Sequence, residues 1–119
     1  MILLIEDNND IRESSEELLI IEGFAVKTAS CGIDGLKIAC NCIPDLIICD
    51  ILMPGMDGYE VISALKKNPA TCNIPVIFSS SKSESADALK AYELGAKFFL
   101  VKPFGEEELM GCINNCLQK

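Results

Sequence analysis

The sequence predicts an α/β protein: a five-stranded parallel sheet, doubly wound, with helices on both faces. Three observations predict it. Short apolar bursts alternate with amphipathic stretches from end to end, without low complexity or a linker. Such alternation implies parallel strands joined by right-handed helical crossovers. Half of the residues are apolar and the mean hydropathy is +0.30, which suits strands buried on both faces.

The elements follow in order. "ILLI" (2–5) is a short buried strand that stops at Glu6 and Asp7. "DIRESSEELLIIEG" (10–23) sets Ile11, Leu18 and Leu19 on one helical face and ends at Gly23. "FAVKTA" (24–29) is a strand. "GIDGLKIACN" (32–41) places Ile33, Leu36 and Cys40 on one side of a helix weakened by Gly35. "DLIICD" (45–50) is a strand closed by a carboxylate. "GYEVISALKKN" (58–68) is a helix that follows the Asp57-Gly58 turn and closes near Pro69. "IPVIFS" (74–79) is a strand. "ESADALKAYELG" (84–95) is a helix with Ser83 as its N-cap and Gly95 as its stop. "AKFFLV" (96–101) is a strand. "EEELMGCINNCLQ" (106–118) is a helix whose acidic first turn suits the positive end of the helix dipole.

The totals narrow the function. A chain of 119 residues fits one domain over 1–119. Its net charge of −8 argues against direct contact with nucleic acid or an anionic membrane. No apolar run approaches the roughly 18 residues of a membrane helix. The seven cysteines are odd in number and mostly set among apolar residues. With no signal-peptide pattern, a reducing, cytoplasmic location and small packed thiols are expected. Zinc is disfavoured, because Cys40-Asn-Cys42 and Cys112–Cys116 lack further Cys or His partners.

In a sheet of this kind ligands bind beyond the carboxyl ends of the strands. Glu6 and Asp7 follow the first strand, Asp50 the third, Ser79, Ser80 and Ser81 the fourth, and Lys102-Pro103 the fifth. Each alone has a plain reading: helix-start acids, a turn residue, a polar loop, a solvated lysine. Together they put three acids, a hydroxyl and an ammonium on one rim. Two carboxylates about 4 Å apart repel by roughly 4 kcal/mol at an effective dielectric near 20. A cation is therefore expected, and Mg²⁺ suits carboxylates, waters and phosphate oxygens. Metal, ammonium and hydroxyl make a receptor for a phosphoryl group. A carboxylate can itself attack phosphorus, and Asp50, central in the sheet, is the candidate nucleophile.

The pieces "IEDN" (5–8), "PDLIICDILMPGMDGYEVI" (44–62), "IPVIFSSS" (74–81), "GA" (95–96) and "VKPF" (101–104) resemble the receiver domain of bacterial response regulators. The likeness covers essentially the whole chain. It implies a flavodoxin-like sheet of strand order 2-1-3-4-5 that works as an aspartyl-phosphate switch, not an enzyme with turnover. The resemblance makes Asp50 the phosphoacceptor and Lys102 the partner of the phosphoryl group. Mg²⁺, or Mn²⁺ in its place, falls to Asp7, Asp50, the Leu52 backbone carbonyl and, mostly through water, Glu6. Ser80 and Phe99 take the switch positions, and Lys102-Pro103 a cis bond. Leu52 and Lys82 flank the water path that limits the phosphoryl lifetime. The implied partners are a sensor histidine kinase or histidine phosphotransfer domain and an output domain or target. The target reads the face of the fourth helix, fifth strand and fifth helix.

Departures from the family pattern are Glu6 for Asp, Ser80 for Thr, Phe99 without a phenol, and Gly105 before the last helix. That helix also lacks the arginines of one large class of paired regulators. Two rivals share parts of the site. A phosphatase of the haloacid dehalogenase type needs a second Asp where Leu52 stands. A flavodoxin needs a hydroxyl-rich loop where "EDNND" stands.

Overall fold

The computed structural model describes residues 1–81 and 85–117. Five strands, β1 (Ile2–Ile5), β2 (Val26–Ala29), β3 (Leu46–Asp50), β4 (Val76–Ser80) and β5 (Phe98–Val101), alternate with five helices. These are α1 (Asn9–Ile21), α2 (Gly32–Cys42), α3 (Gly58–Lys67), α4 (Ser85–Glu93) and α5 (Glu106–Leu117). All pairings are parallel, in the order β2-β1-β3-β4-β5. The expected doubly wound sheet and its order are thus both present. None of the described helices is long and apolar enough to cross a membrane.

Strand side chains alternate between the two faces of the sheet, and the core divides accordingly. Leu3, Ile5, Ile47, Cys49, Val76 and Phe78 form one layer with Ala39, Val61, Ile62, Leu65 and Ala91 of α2, α3 and α4. Ile2, Leu4, Leu46, Ile48, Ile77 and Leu100 form the other with Leu19, Leu109 and Ile113 of α1 and α5. The register aligns the strand ends: Ile5 lies opposite Cys49, Asp50 opposite Ser79, and Ser80 opposite Val101. One rim therefore carries everything that follows β1, β3, β4 and β5.

Local chemistry sets the helix starts. Asn8 caps α1 by accepting from Ile11 N at 3.0 Å. Asp57 and Glu60 form a reciprocal capping box at α3. Gly23 and Gly95 end α1 and α4 in the left-handed region, with φ of 96° and 105°. The bond between Lys102 and Pro103 is cis, as expected.

Three packing expectations need correction. In α2 the buried residues are Gly32, Gly35 and Ala39, while Ile33 is 54% exposed and Cys40 lies in solvent. The inward stripe sits one position away from Ile33 and Cys40 because α2 rides directly on β1. A Cβ at Gly35 would stand 2.4 Å from Ile5 Cδ1, so only glycine fits at the closest approach, while Leu36 packs half-buried on the same layer as expected. In α1, Leu19 is buried but Ile11 is 40% exposed. Among the cysteines, Cys49 alone is buried; Cys40 and Cys42 are exposed and the other four half-buried. Ser83, the expected cap of α4, lies outside the described residues.

Candidate functional site

β1 runs between β2 and β3, and its end delivers Glu6 to the rim in a buried position (3% exposed). Asp7, the next residue, faces solvent. Asp50, the last residue of β3, is 6% exposed. One carboxylate oxygen from each of Glu6, Asp7 and Asp50 lies within 4.8 Å of the others. The Lys102 Nζ approaches from β5, 2.7 Å from Glu6 Oε1 and 3.4 Å from Asp50 Oδ2. Its backbone is fixed as well, since Lys102 N donates to Ser80 O at 2.7 Å. Burial acts to lower the Lys102 pKa. The hydrogen bond to Glu6 and the charges of Asp50 and Glu6 outweigh it, and the ammonium is held above its ordinary value.

Backbone groups complete the setting. Asn8 N donates to Glu6 Oε2 at 3.3 Å, and Leu52 N faces Asp50 Oδ1 at 3.4 Å. Arg12 of α1 donates from Nη1 to the Glu6 carbonyl at 2.9 Å, which pins the turn that carries both acids. Three carboxylates face one ammonium, so the cluster carries two negative charges in excess. Two of the acids are buried, where an unbalanced charge costs most. An oxygen-rich site of this charge fits a hard divalent cation such as Mg²⁺.

The expected residues come together with two qualifications. Glu6, Asp7, Asp50 and Lys102 form one contact network. Ser80 closes β4 beside them and is fully buried. Phe99 is half-buried, packs on the layer of α2, α3 and α4, and pairs in register with Phe78. Leu52 is 44% exposed next to Asp50. The first qualification is that Lys102 sits closer to Glu6 than to Asp50. The second is that Lys82 lies outside the described residues.

Sequence reading passed over two contributors. Arg12 gave no signal, because nothing in a helical pattern says which carbonyl its guanidinium reaches. Gly58 was read only as a turn and helix start. A Cβ there would stand 2.7 Å from both Asp50 O and Ile51 Cα and 3.2 Å from Phe78 Cε1. Gly58 N also donates to Ile51 O at 2.9 Å. α3 thus begins in direct contact with the backbone that carries Asp50. A glycine at a helix's first position, where most residues serve better, was the available clue.

The same architecture recurs in solved structures. The chemotaxis protein CheY4 of Vibrio cholerae superposes with a TM-score of 0.92 at 28% identity, covering 98% of this chain and 97% of that one. The receiver domain of a signal transduction histidine kinase from Syntrophus aciditrophicus gives 0.89 at 33% identity, over 98% and 88%. Among sequence relatives, protein PilG of Pseudomonas aeruginosa is 39% identical over 94% of this chain and 83% of its own. The probable transcriptional regulator ycf29 of Pyropia yezoensis is 40% identical over 99% of this chain but 53% of its own. The chain spans about half the length of that relative. Residues 2–114 match the family described as the response regulator receiver domain. With that match, the sheet order and the acid–lysine rim, the chain is a member of the response regulator receiver domain family of two-component signalling systems.

Proposed function

We propose that residues 1–119 form one cytoplasmic receiver domain that takes a phosphoryl group from a phosphohistidine onto Asp50. The donor is a sensor histidine kinase or a histidine phosphotransfer domain. The observation that carries this reading is the convergence of three carboxylates and one ammonium at the end of the central strand.

Asp50 contributes the nucleophile: one carboxylate oxygen bonds to phosphorus as the bond from phosphorus to the histidine nitrogen breaks. Glu6, Asp7, Asp50 and the Leu52 carbonyl would hold Mg²⁺, or Mn²⁺ in its place. When bound, that ion offsets the excess negative charge of the acids and of the phosphoryl oxygens. Lys102 turns from Glu6 toward the new phosphoryl oxygens and exchanges one anionic partner for another. Ser80 donates its hydroxyl to the phosphoryl group, and Phe99 moves inward beside Phe78. The face of α4, β5 and α5 then changes shape for an output domain or protein target. Leu52 borders the route of the hydrolytic water. Phosphorylation here is a local charge event that biases a two-state element.

Intact mass after treatment with acetyl phosphate and Mg²⁺ tests the reading. A gain of one phosphoryl group is expected in the parent, absent in Asp50→Asn and removed by hydroxylamine. An equal gain in Asp50→Asn would refute it.

A further inference from the structure

Tyr59 sits in the first turn of α3, one residue past Gly58, and touches α4 twice. Its hydroxyl donates to the Asp87 carbonyl at 3.2 Å. The Lys90 ammonium stands 4.3 Å from the centre of its ring. The ring rests edge-on against Phe78, with centroids 5.9 Å apart and planes at 78°. Phe78 is fully buried and pairs in register with Phe99. Phe78 also flanks Gly58, whose own neighbours are the backbone atoms of Asp50 and Ile51. An unbroken line of packed groups thus runs from the Asp50 backbone, through Gly58 and Tyr59, to α4.

α4 is an element such a contact can govern. Among its described residues Ala91 alone is buried, while Leu89 and Tyr92 are exposed. A helix with so little apolar anchorage belongs to the low-stability end of a fold. One neutral hydrogen bond and one cation–π contact are then a large share of what fixes its position. The phenol is suited to a permanent donor role. Burial, then the charges of Asp87 and Asp57, push its pKa above the usual tyrosine value.

We propose that Tyr59 is a positioning residue: it holds α4 in its resting place and couples that place to the backbone carrying Asp50. Its role in signalling rests on Asp50 being the phosphoacceptor, but the holding and the coupling do not. The space between Gly58 and the end of β3 is closed, so a movement there displaces the start of α3. Tyr59 moves with it, its bond to Asp87 lengthens, and α4 is released. Coupling of this kind needs an element that both sites bias, and α4 is that element.

Hydrogen exchange of the α4 amides, followed by mass spectrometry, tests this in the full chain. Tyr59→Phe keeps the ring, its contact with Phe78 and the Lys90 interaction, and removes only the hydroxyl. In the resting protein it is expected to speed α4 exchange about fivefold, one net hydrogen bond, with β1 and β3 unchanged. Lys90→Met is expected to act in the same direction. Gly58→Ala forces the start of α3 and the end of β3 apart without phosphorylation. It is expected to speed α4 exchange in the parent and add little in Tyr59→Phe, the mark of a shared route. Equal α4 exchange in Tyr59→Phe and parent would overturn the holding role, and full additivity with Gly58→Ala the coupling. Acetyl phosphate with Mg²⁺ is a separate arm. A mass gain with an equal α4 response in parent and Tyr59→Phe overturns the coupling and leaves the phosphoacceptor reading standing. No mass gain overturns that reading, and the resting-state comparisons still decide the role of Tyr59.

Discussion

Replacing Gly58 with alanine tests the tightest contact of the site. The added Cβ would stand 2.7 Å from Asp50 O and Ile51 Cα, where ordinary contact begins at 3.4 Å. The shortfall is 0.7 Å from each, and both atoms are backbone, so no side chain can swing aside. Either α3 recedes or the end of β3 moves. Overpacking of this kind costs roughly 1–3 kcal/mol. Alanine's better helix propensity returns at most about 1 kcal/mol. The net expected loss is about 1–2 kcal/mol, or roughly 3–10 °C in Tm for a chain of this size. Because the displaced atoms belong to Asp50 and its neighbour, acetyl phosphate labelling should slow by about tenfold, a modest misplacement of a reacting group. Gly111→Ala is the internal control. Gly111 lies in α5 with nothing within 4 Å of its Cβ position, so it should gain up to about 1 kcal/mol from propensity alone. Urea melts and a labelling time course on both variants suffice. A Gly58→Ala protein as stable as the parent, labelled at the parent's rate, would refute the reasoning.

Three further outcomes are expected. Leu52→Asn places a polar side chain beside Asp50, where Leu52 cannot orient a water, and phosphate release from the labelled protein should quicken severalfold; an unchanged release rate would count against this water route. The raised Tyr59 pKa means that the folded state binds the phenolic proton more tightly. Its stabilising contribution is complete below the unfolded value of about 10 and is lost as pH rises through the folded value. Ultraviolet titration of Tyr92→Phe should therefore show tyrosinate forming later in folded protein than in urea, and coincident curves would contradict it. Cys49 is fully buried, and burial followed by the charges of Asp50, Glu6 and Asp57 pushes its thiol far up. Iodoacetamide at pH 8 should modify exposed Cys40 and Cys42 and leave Cys49 unmodified until the chain unfolds, as peptide mass mapping would show.

The order of elements was legible because each strand is a short apolar run and each stop carries a turn residue or a charge. The rim was legible for the same reason, since a parallel sheet brings strand ends together whatever the loops do. What stayed hidden depends on how closely layers approach. In α2 the expected Leu36 does pack on the core, but Ile33 and Cys40 turn outward, and Gly35 takes the closest approach because Ile5 leaves no room there for a Cβ. Their apolar neighbours in sequence suggest that the thiols are packing groups, but Cys40 and Cys42 are exposed in the last turn of α2, whose buried residue is Ala39. Lys102 reaches Asp50 at 3.4 Å, as expected. Its shortest contact is Glu6, 96 residues away in the chain, and no local pattern encodes which of two acids an ammonium prefers. Tyr59 read as one letter of an amphipathic helix, and only the placement of α4 reveals its hydroxyl bond.

Phe98 and Phe99 are consecutive, yet one packs with the layer of α1 and α5 and the other with the layer of α2, α3 and α4. The same alternation runs through β1, β3 and β4, so each strand is two interleaved texts written to two readers. The layer of α2, α3 and α4 includes Phe78, Phe99 and the route from Asp50 to α4. The layer of α1 and α5 has no part in that route. A substitution confined to the second text leaves the packed line from Asp50 to α4 in place.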